Sequence, residues 1–103
     1  MMITITPAAA QQIKASAQQS HMEGMPLRIA AMRNTDGSIH YGLGFDDAKD
    51  KDLTYKSEGV TLVIAPNSID LLSNTVIDYV ELDTGEKNFI FKNPNDPNYH
   101  PAQ

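Results

Sequence analysis

The strongest constraint on the fold is an alternation of apolar and polar residues that begins at Leu27. It covers residues 27–33 and again residues 39–45, and each run places apolar side chains at alternate positions. A period of two is typical of β-strands, because successive side chains point to opposite faces of the sheet. The segment NTDG (residues 34–37) between the two runs consists of residues that favour tight turns. The sequence therefore predicts a β-hairpin.

A single N-terminal helix and several short strands complete the pattern. The helix is predicted from Ala8 to about Gln19, with Thr6 as its N-cap and Pro7 in its first turn. Its apolar stripe is narrow, so the helix must pack on a larger surface. The other predicted strands cover residues 2–6, 53–56, 60–65, 75–82 and 87–92, and one or two helical turns follow Pro66. We expect a mainly β (α+β) fold, a compact sandwich or rolled sheet with one N-terminal helix.

The chain is long enough for one domain. Its 103 residues, 41% of them hydrophobic and 20% charged, suit a single hydrophobic core. We expect the domain to span residues 1–92 and residues 93–103 to form a flexible tail rich in proline and asparagine, which contains three of the six prolines. The sequence has no signal-peptide pattern and no apolar stretch near the roughly 20 residues of a membrane span. We therefore expect a cytoplasmic protein.

The net charge and the absence of cysteine limit the partners that this protein can bind and the chemistry that it can perform. Eight Lys and Arg against thirteen Asp and Glu give a net charge of −5, without any basic run. Such a chain is poorly suited to nucleic acid or to an anionic membrane surface. The sequence contains no cysteine, which removes disulfides, thiolate nucleophiles and cysteine-ligated metal clusters. We expect protein partners or self-association.

Several segments resemble, in the same order along the chain, segments of the A-type iron–sulfur carriers, the HesB/IscA/SufA-like family. They are ITITPAA (residues 3–9), YGLGFD (41–46), EGV (58–60), APNS (65–68), IDYV (77–80) and FIFKNPN (89–95). The resemblance covers nearly the whole length. It implies a compact, mainly β fold with one N-terminal helix, often paired into dimers or tetramers.

The resemblance also implies where such carriers hold iron or an iron–sulfur cluster. The family uses one cysteine in a glycine-rich loop between two early strands and two more in a Cys-Gly-Cys tail. The first position falls on or next to Asp36 in this sequence, and the tail pair falls near His100 and Ala102. All three thiolates are absent. We therefore predict no catalytic, cofactor-binding or metal-binding residues, and a non-catalytic accessory scaffold related to the carriers.

Other functions remain open at the level of sequence. His40, His100 and Asp36 form an alternative site for mononuclear iron or another divalent metal, because two histidines and a carboxylate make an open ferrous site. Each residue also has a plainer role, since Asp36 precedes Gly37 in the turn and both histidines are expected to face solvent. A further alternative is a mixed oligomer with a homologue that carries cysteines. An enzyme ranks lowest, because no general base accompanies an identifiable nucleophile.

Four aspartates between residues 46 and 52 superficially suggest a calcium loop. Lys49 and Lys51 interrupt them, and no glutamate closes the loop in register. We interpret this segment as a solvated charge run.

Overall fold

A computed structural model describes residues 3–97. In chain order the elements are β1 (Thr4–Ile5), α1 (Pro7–Gln19), β2 (Leu27–Arg33), β3 (Ile39–Phe45), β4 (Leu53–Ser57), β5 (Val60–Ile64), α2 (Pro66–Ile69), β6 (Val76–Glu81) and β7 (Lys87–Lys92). The predicted hairpin, N-terminal helix and later strands are confirmed to within two residues at each end. The short α2 corresponds to the helical turns predicted after Pro66.

The strands form two mixed sheets. One has the order β1-β6-β7 and the other the order β3-β2-β5-β4. The β1–β6 and β2–β5 pairs are parallel, and the remaining pairs are antiparallel. The mainly β (α+β) architecture with an N-terminal helix is confirmed. None of the helices within residues 3–97 has the length and hydropathy needed to cross a bilayer.

The hydrophobic core lies between the two sheets and is closed by α1. Its largest fully buried apolar side chains are Ile3, Ile29, Leu62, Val63, Ile64, Leu72 and Ile77. The helix begins as predicted, because the Thr6 hydroxyl accepts a hydrogen bond from the Ala9 N–H at 3.2 Å and Pro7 occupies the first turn. The helix packs on β5 and β6, which supply the larger surface that its narrow stripe requires.

The aspartate-rich segment folds onto Arg28 of β2. The Arg28 guanidinium lies 2.7 Å from an Asp52 carboxylate oxygen and 3.1 Å from Asp46, and it also donates to the Asp47 carbonyl at 2.8 Å. Only 5% of the Asp52 side chain is exposed. The interpretation as a solvated charge run is therefore wrong for Asp52, because pairing with a distant arginine draws its carboxylate onto the sheet.

Side chains of β4 occupy the edge of β1 that β6 leaves unpaired. The Tyr55 hydroxyl accepts a hydrogen bond from the Ile3 N–H at 2.8 Å and donates one to the Ile3 carbonyl at 2.5 Å. Ser57 Oγ accepts from the Ile5 N–H at 3.1 Å. Burial raises the pKa of Tyr55 above its ordinary value of 10. These contacts connect the two sheets at their β1 and β4 edges.

The substitution Tyr55→Phe is expected to lower the free energy of unfolding by about 1–2 kcal/mol, because it leaves two backbone groups of Ile3 without their side-chain partner. Urea denaturation at neutral pH measures this loss. Tyr79→Phe is the matched control, since no hydrogen bond to the Tyr79 hydroxyl is found among residues 3–97. An equal loss in both variants would contradict the role assigned to the Tyr55 hydroxyl.

Candidate functional site

The turn between β2 and β3 places Asp36 at the exposed tip of the hairpin. The Asn34 N–H donates to the Ser38 carbonyl at 2.8 Å, and the Gly37 N–H donates to the Asn34 carbonyl at 3.0 Å. Gly37 has a φ of +90°, a conformation that L side chains rarely adopt. The predicted turn role of the Asp-Gly pair is confirmed by this geometry.

The Asp36 carboxylate is used within its own turn. One of its oxygens accepts hydrogen bonds from the Ser38 hydroxyl at 2.6 Å and from the Ser38 N–H at 3.0 Å. These two bonds, the hydroxyl first, hold the pKa of Asp36 below its ordinary value of 3.8. A side chain that stabilises the turn in this way is typical of aspartate at loop positions.

His40 lies one residue into β3 and is exposed. It pairs across the hairpin with Met32, whose side chain is 66% exposed. His100, the third residue of the alternative metal site, lies outside the described residues. Within residues 3–97 no group of three or more His, Asp or Glu side chains has a geometry that could hold a metal ion.

The first residues of the predicted tail are attached to the domain. Asn93 is fully buried, and its amide donates to the Leu71 carbonyl at 2.8 Å and to the Tyr41 hydroxyl at 3.1 Å. The Tyr41 hydroxyl donates in turn to Asp96 at 2.6 Å. Flexibility beyond residue 92 remains a prediction only for residues 98–103, which lie outside the described residues.

The Tyr41 ring connects the segment that begins at Asn93 to the two sheets. It stacks on Phe91 with ring centroids 4.1 Å apart and an interplanar angle of 7°. Burial and the hydrogen bond to Asp96 raise the pKa of Tyr41 to about 12.

The structural role of Asn93 was not predicted from the sequence. The available signal was the Asn-Pro-Asn motif, in which the Asn93 side chain accepts from the Asn95 N–H at 2.9 Å.

Stability is expected to fall in acid because several aspartates are stabilised in their charged form. Arg28 holds the pKa of Asp52 below 3.8, and Lys49 does the same for Asp46. A carboxyl group whose pKa is lower in the folded state than in the unfolded state stabilises the fold at pH values above the unfolded-state pKa. This stability is lost as the pH falls through the folded-state pKa. Urea midpoints should therefore drop from about pH 5 to pH 3. Asp52→Asn should flatten this dependence, and an unchanged slope would contradict the Arg28 pairing.

The sequence matches the family model for iron-sulphur cluster biosynthesis over residues 1–100. The chain belongs to this family. A SufA protein of Bacillus subtilis (strain 168) is 33% identical over 94 residues, which cover 90% of this chain and 78% of that protein. The iron-sulfur cluster insertion protein ErpA of Mannheimia succiniciproducens is 34% identical over 94 residues, 90% of this chain and 82% of the relative. The predicted kinship with the A-type carriers is confirmed.

Solved structures of the iron-sulphur cluster biosynthesis family share the fold. The crystal structure of IscA with a 2Fe-2S cluster has a TM-score of 0.74 and 32% identity, and covers 90% of this chain and 86% of its own. The crystal structure of Escherichia coli SufA has a TM-score of 0.72 at 24% identity, with 97% and 87% covered, and supports the fold alone. The two-sheet architecture described above is thus that of the family.

The donor set of this family member does not fit an iron–sulfur cluster. Such clusters depend on thiolate ligands, and those that include histidine still keep cysteine on the other iron. The chain has no cysteine. At the hairpin tip it offers a hard carboxylate oxygen that already accepts two hydrogen bonds from Ser38.

Proposed function

We propose that this chain is a non-catalytic member of the iron–sulfur biogenesis family that has lost cluster ligation and serves as a binding or accessory scaffold. Its contacts would be with other proteins or with further copies of itself. The proposal includes a cytoplasmic location. It excludes nucleic-acid and membrane partners, because a net charge of −5 without a basic run disfavours both.

The observation that carries the proposal is the residue found at position 36 and the hydrogen bonds that its side chain makes. The resemblance puts the family's first cysteine on or next to Asp36, an aspartate whose carboxylate closes the turn through Ser38. Replacing a soft thiolate by a hydrogen-bonded carboxylate removes a cluster ligand and strengthens the hairpin at the same place. The side chain thus has a structural use that does not require metal.

Retention of the family fold supports the proposed role as a binding or accessory scaffold. The core between the two sheets is fully buried at Ile29, Leu62 and Ile77, and Asn93 connects the end of β7 to the Tyr41 hydroxyl and the Leu71 carbonyl. These long-range contacts maintain the two-sheet scaffold. The fold can therefore present a surface for protein contacts, since function depends on the sites that a fold carries and not on the fold itself.

Anaerobic incubation with ferrous iron and sulfide tests the loss of ligation. After desalting, the protein is expected to stay colourless, whereas a cysteine-bearing relative treated in parallel should retain visible absorption. A stoichiometric brown species on this chain that survives desalting would overturn the proposal.

Calorimetry with ferrous iron or zinc tests the competing metal site of His40, His100 and Asp36. We expect no binding heat. Saturable binding that disappears in both Asp36→Ala and His100→Ala would replace the scaffold proposal with a divalent-metal binder. Binding unchanged by either substitution would remove this particular site.

A further inference from the structure

The methionines of this protein lie on its surface. All three that fall within residues 3–97 are exposed, Met22 by 39%, Met25 by 37% and Met32 by 66%. Only Leu82 joins them among the exposed large apolar side chains of that range. Methionine is ordinarily a buried residue that fills irregular gaps in a core. Packing in the core therefore does not explain these three thioether groups.

Two of the methionines, Met22 and Met25, share one tight turn just after α1. The Met25 N–H donates to the Met22 carbonyl at 3.0 Å, and Gly24 has a φ of +83°, a conformation that favours glycine. A turn closed by such a bond brings its first and last Cα atoms within about 7 Å of each other. Because each methionine side chain has three rotatable bonds, the two sulfur atoms can reach one ligand outside the turn.

His21 immediately precedes this turn and ends the helix. Its N–H donates to the Gln18 carbonyl at 3.2 Å, and the Met22 N–H donates to the Ala17 carbonyl at 2.7 Å, which are the two bonds of a Schellman motif. Glycine is the usual residue at the position of His21, whose φ is +57°. The sequence thus places an imidazole directly beside the two thioethers, and all three side chains are exposed.

The electrostatics at this end of α1 favour a cation. The C-terminal end of a helix carries a partial negative charge, yet the last turn of this thirteen-residue helix has no basic residue. Glu23 adds a carboxylate within the turn, and the whole chain has a net charge of −5. The Lys14 ammonium is engaged at the neighbouring β4–β5 turn, where it donates to the Glu58 carbonyl at 3.1 Å. The helix end therefore favours a positive charge that its last turn does not supply.

We propose that the segment HMEGM (residues 21–25) binds one cuprous ion through the Met22 and Met25 sulfur atoms and a ring nitrogen of His21. Thioether sulfur is a soft ligand that selects Cu(I), and imidazole also suits copper. The three donors are neutral, so the bound ion keeps the positive charge that the helix end and Glu23 stabilise. Protein zinc sites use thiolate, imidazole and carboxylate ligands rather than thioethers, so zinc is a poor competitor.

This site is separate from the positions considered for iron. It uses none of Asp36, His40 and His100, and it adds a metal site where the sequence predicts none. The proposed loss of cluster ligation concerns iron and sulfide, so either proposal can fail alone. Met32 lies directly across the hairpin from His40 and forms a competing pair of soft donors. The turn after α1 is favoured because it offers three donors instead of two.

Anaerobic titration of the full chain against the chromogenic cuprous chelator bicinchoninate tests the site. The parent is expected to withdraw one Cu(I) per chain, and added zinc should not displace it. Met22→Leu and Met25→Leu keep an apolar side chain of similar size but remove a ligand. Each should weaken binding about tenfold or more, since loss of an outer partner of a metal ligand already costs that much. Met32→Leu is the matched control and should bind as the parent does.

Nuclear magnetic resonance of the methionine methyl groups gives a second, positional readout. Cu(I) should shift the signals of Met22 and Met25 together and leave the signal of Met32 in place. His21→Gln should weaken binding and reduce both shifts. A parent that withdraws no copper, or binding that survives both Met22→Leu and Met25→Leu, would overturn the proposal. Weakening by Met32→Leu alone would overturn it too, by assigning the ion to Met32 and His40.

Discussion

Asn93→Ala is expected to lower the free energy of unfolding by about 2–3 kcal/mol. The Asn93 amide is fully buried and donates to the Leu71 carbonyl and the Tyr41 hydroxyl, while its oxygen accepts from the Asn95 N–H. Alanine makes none of these bonds, so the Leu71 carbonyl and the Tyr41 hydroxyl each lose one partner and the Asn95 N–H loses its acceptor. Chemical denaturation followed by circular dichroism measures the loss.

Asn95→Ala is the matched control for this prediction. Asn95 also donates to the Leu71 carbonyl, at 3.4 Å, and to the Ser73 carbonyl at 3.0 Å, but it is exposed. Water can replace its bonds, so the loss should stay below about 1 kcal/mol. Comparable losses in the two variants would show that burial of Asn93 does not set its contribution.

Restoring thiolates at the three family positions is expected to create the cluster binding that we propose the parent chain has lost. The variant Asp36→Cys, His100→Cys and Ala102→Cys should acquire visible absorption after anaerobic incubation with iron and sulfide, and keep it through desalting. The expectation follows because the scaffold of the carriers is retained while soft ligands are missing from the sequence. Absorption spectra and iron and sulfide content per chain are the readouts.

A triple serine variant at the same positions controls for the size and location of the changes. Serine lacks a thiolate, so this protein should remain colourless. Asp36→Cys also removes the two bonds to Ser38, and circular dichroism verifies that the hairpin still folds. A folded triple cysteine variant that stays colourless would mean that more than the ligands has diverged.

Local patterns predict most of this fold. The hairpin follows from the period of two around residues 34–37, and the helix start follows from Thr6 and Pro7, because both depend on neighbours in sequence. The contacts that join distant segments were not predictable. Tyr55 reaches Ile3 across 52 positions, and no local pattern marks such a pair.

In the candidate site, too, the sequence predicts the features that depend on neighbouring residues but not the three-dimensional contacts. The family resemblance indicates position 36, and the Asp-Gly pair predicts its turn role. The use of the Asp36 carboxylate by Ser38 emerges only from three-dimensional geometry. The three prolines and the few side chains to bury in residues 93–103 predict a flexible tail that includes Asn93, but the Tyr41 hydroxyl and the Leu71 carbonyl offset the cost of burying the Asn93 amide.

Analysis of iron and acid-labile sulfide in protein purified without oxygen from its native host tests the central claim most directly. It reports what the chain holds in the cell, before any reconstitution can load a non-native site. If cluster ligation is lost, neither element should exceed background in the folded protein. Iron and sulfide present together in a fixed ratio to the chain would contradict it.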